Sequence, residues 1–103
     1  MQMPDRYQKI KEEHPKFIEA LEQLGKAARA EGPINEKTGH LIQLAAAAAI
    51  RSEGSVHSHA KRALAAGASY QEIQHAIILT TSITGFPTTA AALSWIDDVC
   101  EKK

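Results

Sequence analysis

Between Leu41 and Ile50 the chain passes through ten residues with one polar side chain, Gln43, and five consecutive alanines. Alanine is the strongest helix former, so the stretch reads as a helix and not as a linker. It has no polar face: Leu41, Leu44, Ala45 and Ala48 form one apolar stripe, and Ile42, Ala46, Ala49 and Ile50 form another. Such a helix is expected at the centre of a domain, contacted from several sides. It is too short for a membrane span, which takes ~20 residues. Of the 103 residues 18 are alanine and 5 aromatic, so the apolar surface is built from small side chains that let helix backbones approach closely.

The remainder of the chain reads as helical too, because no alternating run of β-branched and aromatic residues lies between turn signals. The expectation is an all-α fold of about six helices in a single domain over residues 1–103. A short helix spans Asp5 to Glu13. Pro15 suits the first turn of a second, in which Phe17, Ile18, Leu21, Leu24 and Ala28 recur at helical spacing, and Gly32-Pro33 closes that unit. Asn35 is placed to cap a third helix from Glu36 to about Ile50. Gly54 is expected to break the chain before a fourth helix from Ser55 to Gly67, whose glycine suits a left-handed C-terminal cap. Ser69-Tyr70-Gln71-Glu72 is a capping box for a fifth helix to about Ile83. Gly85-Phe86-Pro87 is read as a turn before a last helix from Thr88 to about Glu101.

Twelve basic and twelve acidic residues are scattered along the chain and give no net charge, so neither a nucleic-acid footprint nor a membrane partner is expected. The start, Met1 to Arg6, lacks the charged segment and apolar stretch of a secretory signal, and a cytoplasmic location is the expectation. One cysteine, Cys100, cannot form an intramolecular disulfide. Its spacing from Ile96 and Leu93 marks it as a small buried residue.

The chemistry concentrates between Arg51 and Leu64. A side chain at position 55, at the start of the fourth helix, would face the positive end of the helix dipole, where a cysteine would ionise at neutral pH. His59 lies one turn later on the same face, and Ser52 three residues earlier on the connecting loop. Without chemistry, Ser52 and Ser55 read as helix caps, His59 as a core histidine, and Glu53 and Lys61 as solvated charges. His57 is two residues from His59 and points to nearly the opposite side, so the two make a poor metal pair. His40, His57 and His75 could complete a site only across helices or subunits, and no metal is expected.

From Ser52 to Ser69 the chain resembles the core of the carboxymuconolactone decarboxylase family, in its alkylhydroperoxidase-like branch. There Cys-x-x-Cys-x-x-x-His leads into Lys-x-Ala-Leu-x-Ala-Gly-Ala-Ser/Thr. The matching residues are His59, Lys61, Ala63, Leu64, Ala66, Gly67, Ala68 and Ser69, followed by Glu72. Upstream, Glu36-Lys37-Thr38 and the apolar run from Leu41 are similar to the preceding family helix, and Gly85-Phe86-Pro87 to the turn before its last. The resemblance covers Asn35 to the C-terminus. It implies that Ser55 holds the place of the more reactive cysteine, Ser52 that of its disulfide partner and His59 that of a proton relay. The family's relay glutamate lies twelve residues before the first cysteine, and here that position is His40. Serine is the isostere of cysteine, whereas histidine is no isostere of glutamate.

The resemblance therefore implies an antioxidant peroxidase or disulfide oxidoreductase without cofactor, reduced by a dithiol protein or a small thiol. With Ser52 and Ser55 in place of the redox pair, this chain is expected to be inactive in that role. One alternative is a cofactor-free decarboxylase, a lyase using His59 and His40 for acid–base catalysis. Another is a non-catalytic oligomeric binding module. Family members of this size associate as trimers or hexamers, so a homo-oligomer is also expected.

Overall fold

The computed structural model describes residues 5–100. Its elements are helices throughout, and no strand occurs among the described residues. In chain order they are α1 (Asp5–Glu13), α2 (Pro15–Ala30), α3 (Glu36–Ala49), α4 (Glu53–Ala65), α5 (Tyr70–Ile78), α6 (Thr81–Thr84) and α7 (Phe86–Asp97). The all-α expectation holds. The chain divides into two units, Met1–Asn35 and Glu36–Lys103.

The first unit is a helical hairpin. His14 takes non-helical dihedrals between α1 and α2, and Pro15 opens α2 where its missing N–H costs nothing. Tyr7 Oη donates to Glu22 Oε2 at 2.6 Å and Lys11 Nζ reaches the same oxygen at 3.4 Å, tying the two helices. Ile18 is the buried residue of α2.

In the second unit α3 packs against α4, α5 and α7. The inner stripe of α3, with Leu44, Ala47 and Ala48, joins Val56, Ala60 and Ala63 of α4, Ile73 and Ile77 of α5, and Ala92 and Ile96 of α7 in one core. Alanines on both α3 and α4 let those two helices lie close. The connection between them is correspondingly short. Arg51 adopts a left-handed φ of 57°, its N–H donates to Ala48 O at 3.0 Å, and Ser52 N–H donates to Ala47 O at 3.0 Å. This is the Schellman arrangement, which satisfies the last carbonyls of α3.

Gly54 does not break the chain. It lies in the first turn of α4, which begins at Glu53 with Ser52 at the N-cap position. Glycine's poor propensity costs on the order of half a kcal/mol there, too little to stop a helix fixed by its packing. The break falls instead on Arg51. The end of α4 repeats the geometry in its usual form: Gly67, at φ 100°, donates to Leu64 O and Ala68 to Ala63 O. The fifth helix is likewise divided. Thr80 Oγ1 donates to Ile77 O and Thr81 Oγ1 to Ile78 O, both at 2.7 Å, and α5 stops before the four-residue α6. Threonine hydroxyls compete here for helix carbonyls, which sequence periodicity does not reveal. Gly85 at φ 91° then turns the chain into α7, which already includes Phe86 and Pro87. The expected end of this helix at Glu101 lies outside the described residues.

Two groups of polar contacts tie the helices together. Tyr70 Oη donates to Asp97 Oδ1 at 2.7 Å and accepts from Gln74 Nε2 at 3.1 Å, joining α5 to α7. The Asp97 hydrogen bond, aided by burial, pushes the Tyr70 hydroxyl above its ordinary pKa, and burial followed by the Asp97 charge raises the Cys100 thiol. At the start of α5 the capping box is complete, with Ser69 N–H on Glu72 Oε1 at 2.9 Å and Glu72 N–H on Ser69 Oγ at 3.0 Å. Lys37 of α3 adds a 3.0 Å bond to Glu72 Oε2.

Two outcomes follow. Gly67→Ala forces a side chain into a left-handed position and destabilises by about 1–2 kcal/mol. Gly54→Ala, in open space within a helical turn, stabilises by on the order of half a kcal/mol; urea unfolding that gave both changes the same sign would contradict this backbone geometry. The Ser69 backbone N–H, then Lys37, hold the Glu72 carboxyl below its ordinary value of 4.5. Its folded pKa is depressed, so its contribution is present above that value and fades as acid protonates it. Glu72→Gln should therefore be less stable than the parent near neutrality, with the two stabilities converging in acid titrations.

Candidate functional site

The corner between α3 and α4 positions the residues that the sequence singled out. Ser52 belongs to both helices, since its N–H closes the end of α3 and its carbonyl accepts the Val56 N–H of α4 at 2.9 Å. It has the extended dihedrals of an N-cap, yet its hydroxyl makes no capping bond. The capping reading of Ser52 is thus met in backbone position and not in side-chain bonding. Ser55 is the third residue of α4, inside the helix and not at its cap. Both serines are half-buried, close to the unpaired N–H groups of the helix start.

His59 lies one turn beyond Ser55, which puts both on one face of α4. His40 comes from α3 and is buried, at 4% exposure. The two imidazoles meet with centroids 5.8 Å apart and planes inclined by 35°. Nδ1 of each ring is shielded from solvent. The close α3–α4 packing makes this contact possible, since bulkier residues at Ala47, Ala48, Ala60 or Ala63 would hold the helices apart.

Sequence reasoning passed over one residue of this region. Gln43 lies three positions beyond His40, on the same side of α3, and its Oε1 is buried without a hydrogen-bond partner among the described residues. Its signal in the sequence was there to be used, as the lone polar residue of the run from Leu41 to Ile50. Buried amides carry a desolvation cost unless paired, so a carbonyl oxygen kept in this place is available to a donor from a bound molecule.

The other histidines face elsewhere. His57 Nε2 sits 3.0 Å from Asp98 Oδ2 and 3.8 Å from Glu53 Oε2, on the side of α4 away from His59. The three ligand-type atoms lie within 4.8 Å of one another, and both carboxylates are exposed. A surface imidazole–carboxylate pair accounts for them. His75 is exposed on α5, against the face of α3 opposite His40. The three histidines that might have shared a metal thus face different neighbours. Cys100, just beyond α7, is buried beside Tyr70 and Asp97.

The arrangement offers two imidazoles in contact, two hydroxyls at a helix start and one amide carbonyl. That set suits proton transfer next to a bound molecule. It holds no thiol.

Comparison with known proteins places this helical framework. A crystal structure of a carboxymuconolactone decarboxylase family protein from Legionella pneumophila, in its apo form, is similar with a TM-score of 0.77 over 93% of this chain and 88% of that one. At 23% identity the likeness shows a shared fold. No curated protein sequence matches the chain. The model of the carboxymuconolactone decarboxylase family matches residues 15–98, which include α2 to α7 and every residue of the α3–α4 corner. The chain belongs to the carboxymuconolactone decarboxylase family.

Proposed function

We infer that this chain carries the site of the alkylhydroperoxidase-like branch with its thiol couple replaced, and that it does not reduce hydroperoxides as it stands. The contact between His40 and His59 carries the reading. In the branch that the chain resembles, the position twelve before the first motif cysteine supplies a proton-relay carboxylate. Position 40 is twelve before Ser52 here, and its side chain meets the motif histidine. The contact supports a relay at this place with imidazole in the carboxylate's position.

What is missing is the sulfur. In such a couple one thiolate attacks the peroxide oxygen and releases an alcohol, leaving a sulfenic acid, and the second thiol displaces water to form a disulfide. A dithiol then returns both sulfurs to the reduced state. A serine hydroxyl forms no such bond and stays protonated at neutral pH unless strongly activated. Cys100 is no substitute, because burial keeps its thiol protonated and it lies outside the α3–α4 corner.

The same imidazole pair favours a second reading, a cofactor-free lyase. Imidazole ordinarily titrates near neutral pH, so one ring can donate a proton while the other accepts, as decarboxylation of a lactone acid requires. The sequence offers no arginine cluster to hold a dicarboxylate, and that ranks this reading second.

The deciding measurement is hydroperoxide consumption with dithiothreitol as donor. The parent chain should stay at background, and the double variant Ser52→Cys, Ser55→Cys should exceed it at least ~100-fold, with His59→Ala in that double variant losing about 100-fold again. A parent chain as fast as the cysteine form would sink the redox-silent assignment. Thiol-independent decarboxylation of a carboxymuconolactone by the parent, abolished by His59→Ala, would establish the lyase.

A further inference from the structure

On the side of α4 away from His59, three ligand-type side chains converge. Glu53 opens α4, His57 follows one turn later at the spacing that puts both on one face, and Asp98 closes α7 at its C-cap. Both carboxylates address the same imidazole nitrogen: Asp98 Oδ2 lies 3.0 Å and Glu53 Oε2 3.8 Å from His57 Nε2. The three ligand atoms all lie within 4.8 Å of one another. Asp98 stands 41 residues from His57 in the chain, so only the packing of α7 on α4 assembles the group.

Without a cation these side chains form an ordinary surface contact, but one with negative charge left over. A protonated imidazole balances one of the two carboxylates and a neutral one balances neither. No lysine or arginine among the described residues pairs with Glu53 or Asp98. Asp98 also sits at the negative end of the α7 dipole, where a carboxylate is disfavoured and a cation favoured.

We propose that Glu53, His57 and Asp98 bind one divalent transition-metal cation, zinc being the best match, and that the ion clips the start of α4 to the end of α7. The donor set selects the class: one imidazole nitrogen and two carboxylate oxygens suit zinc, cobalt or nickel, whereas magnesium and calcium favour oxygen donors alone. The spacing agrees. Bonds of ~2.1 Å at a tetrahedral angle hold ligand atoms ~3.4 Å apart, and the two distances to Nε2 bracket that value. The side chains of Glu53 and Asp98 are more than half exposed and can close on an ion without repacking, while His57, at 22% exposure, is the fixed point. With its ring proton on Nδ1, His57 turns the Nε2 lone pair toward both carboxylates. Three protein ligands leave the remaining coordination positions to water or a small anion.

The proposal is independent of the chemistry at His40 and His59. Calorimetric titration of the full chain with zinc chloride near neutral pH tests it. The tightest step should take up one zinc per chain, and zinc should raise the thermal midpoint, because a cation held only by the folded chain stabilises it. His57→Gln should weaken that step at least ~100-fold and Glu53→Gln or Asp98→Asn at least ~10-fold each, with the zinc-dependent rise in midpoint lost in parallel. His75→Ala, on a different face, should leave both readings unchanged. Should His57→Gln lose far-UV helicity, the two carboxylate variants, which alter exposed side chains, decide the matter. A parent that binds no zinc would overturn the proposal. So would a tightest step that survives both carboxylate variants, since it would place the ion on other histidines.

Discussion

Close contact between α3 and α4 is the constraint on which the rest of the second unit depends. Helix axes approach to about 8 Å only where the side chains between them are small. Ala47 and Ala48 on one helix, with Ala60 and Ala63 on the other, meet that condition, and all four are buried. Leu44, Val56, Ile73, Ile77 and Ile96 then fill the volume around the pair. The pairing of His40 with His59 is a by-product of the same approach. A larger residue at any of these alanines would act on the core and on the imidazole contact together, so stability and site geometry are difficult to vary separately here.

The α3–α4 corner brings together the residues that the family resemblance singles out. The helix start, the histidine one turn in, and a side chain at position 40 that reaches this histidine are all in place. Serine stands at both positions where the resemblance implies cysteine, and histidine where it implies glutamate. Two partly shielded imidazoles and a helix start thus lie close together, groups of the kind that proton transfer uses.

Much of the fold was legible because the residues involved act locally. The capping box at Ser69 and Glu72 and the left-handed Gly67 depend on neighbours within a few positions, and both occur where expected. The misreadings have physical causes. Glycine is a poor helix former, which marks Gly54 as a break, yet in the first turn of α4 that weakness is too small to stop the helix. Arg51 gave no warning, since arginine seldom takes a positive φ; the tight corner imposes it, and a 2.8 Å bond from Arg51 Nη1 to Thr88 Oγ1 holds the side chain. The division of α5 from α6 follows from threonine hydroxyls whose choice of carbonyl is not written in a hydrophobic pattern. For the site, His59 and the two serines stood out by motif. His40 is a candidate only through resemblance, and Gln43, the lone polar side chain among alanines, belongs to no motif.

The double membership of Ser52 has a dynamic consequence. Its N–H ends one helix and its carbonyl begins the next, so neither helix can fray at this corner without loosening the other. Hydrogen exchange at Arg51, Ser52 and Val56 is then one cooperative opening, not three independent ones. Both serines belong to this corner, Ser52 as its shared residue and Ser55 in the first turn of α4. The corner thus opens as one local unfolding unit, with the left-handed Arg51 inside it.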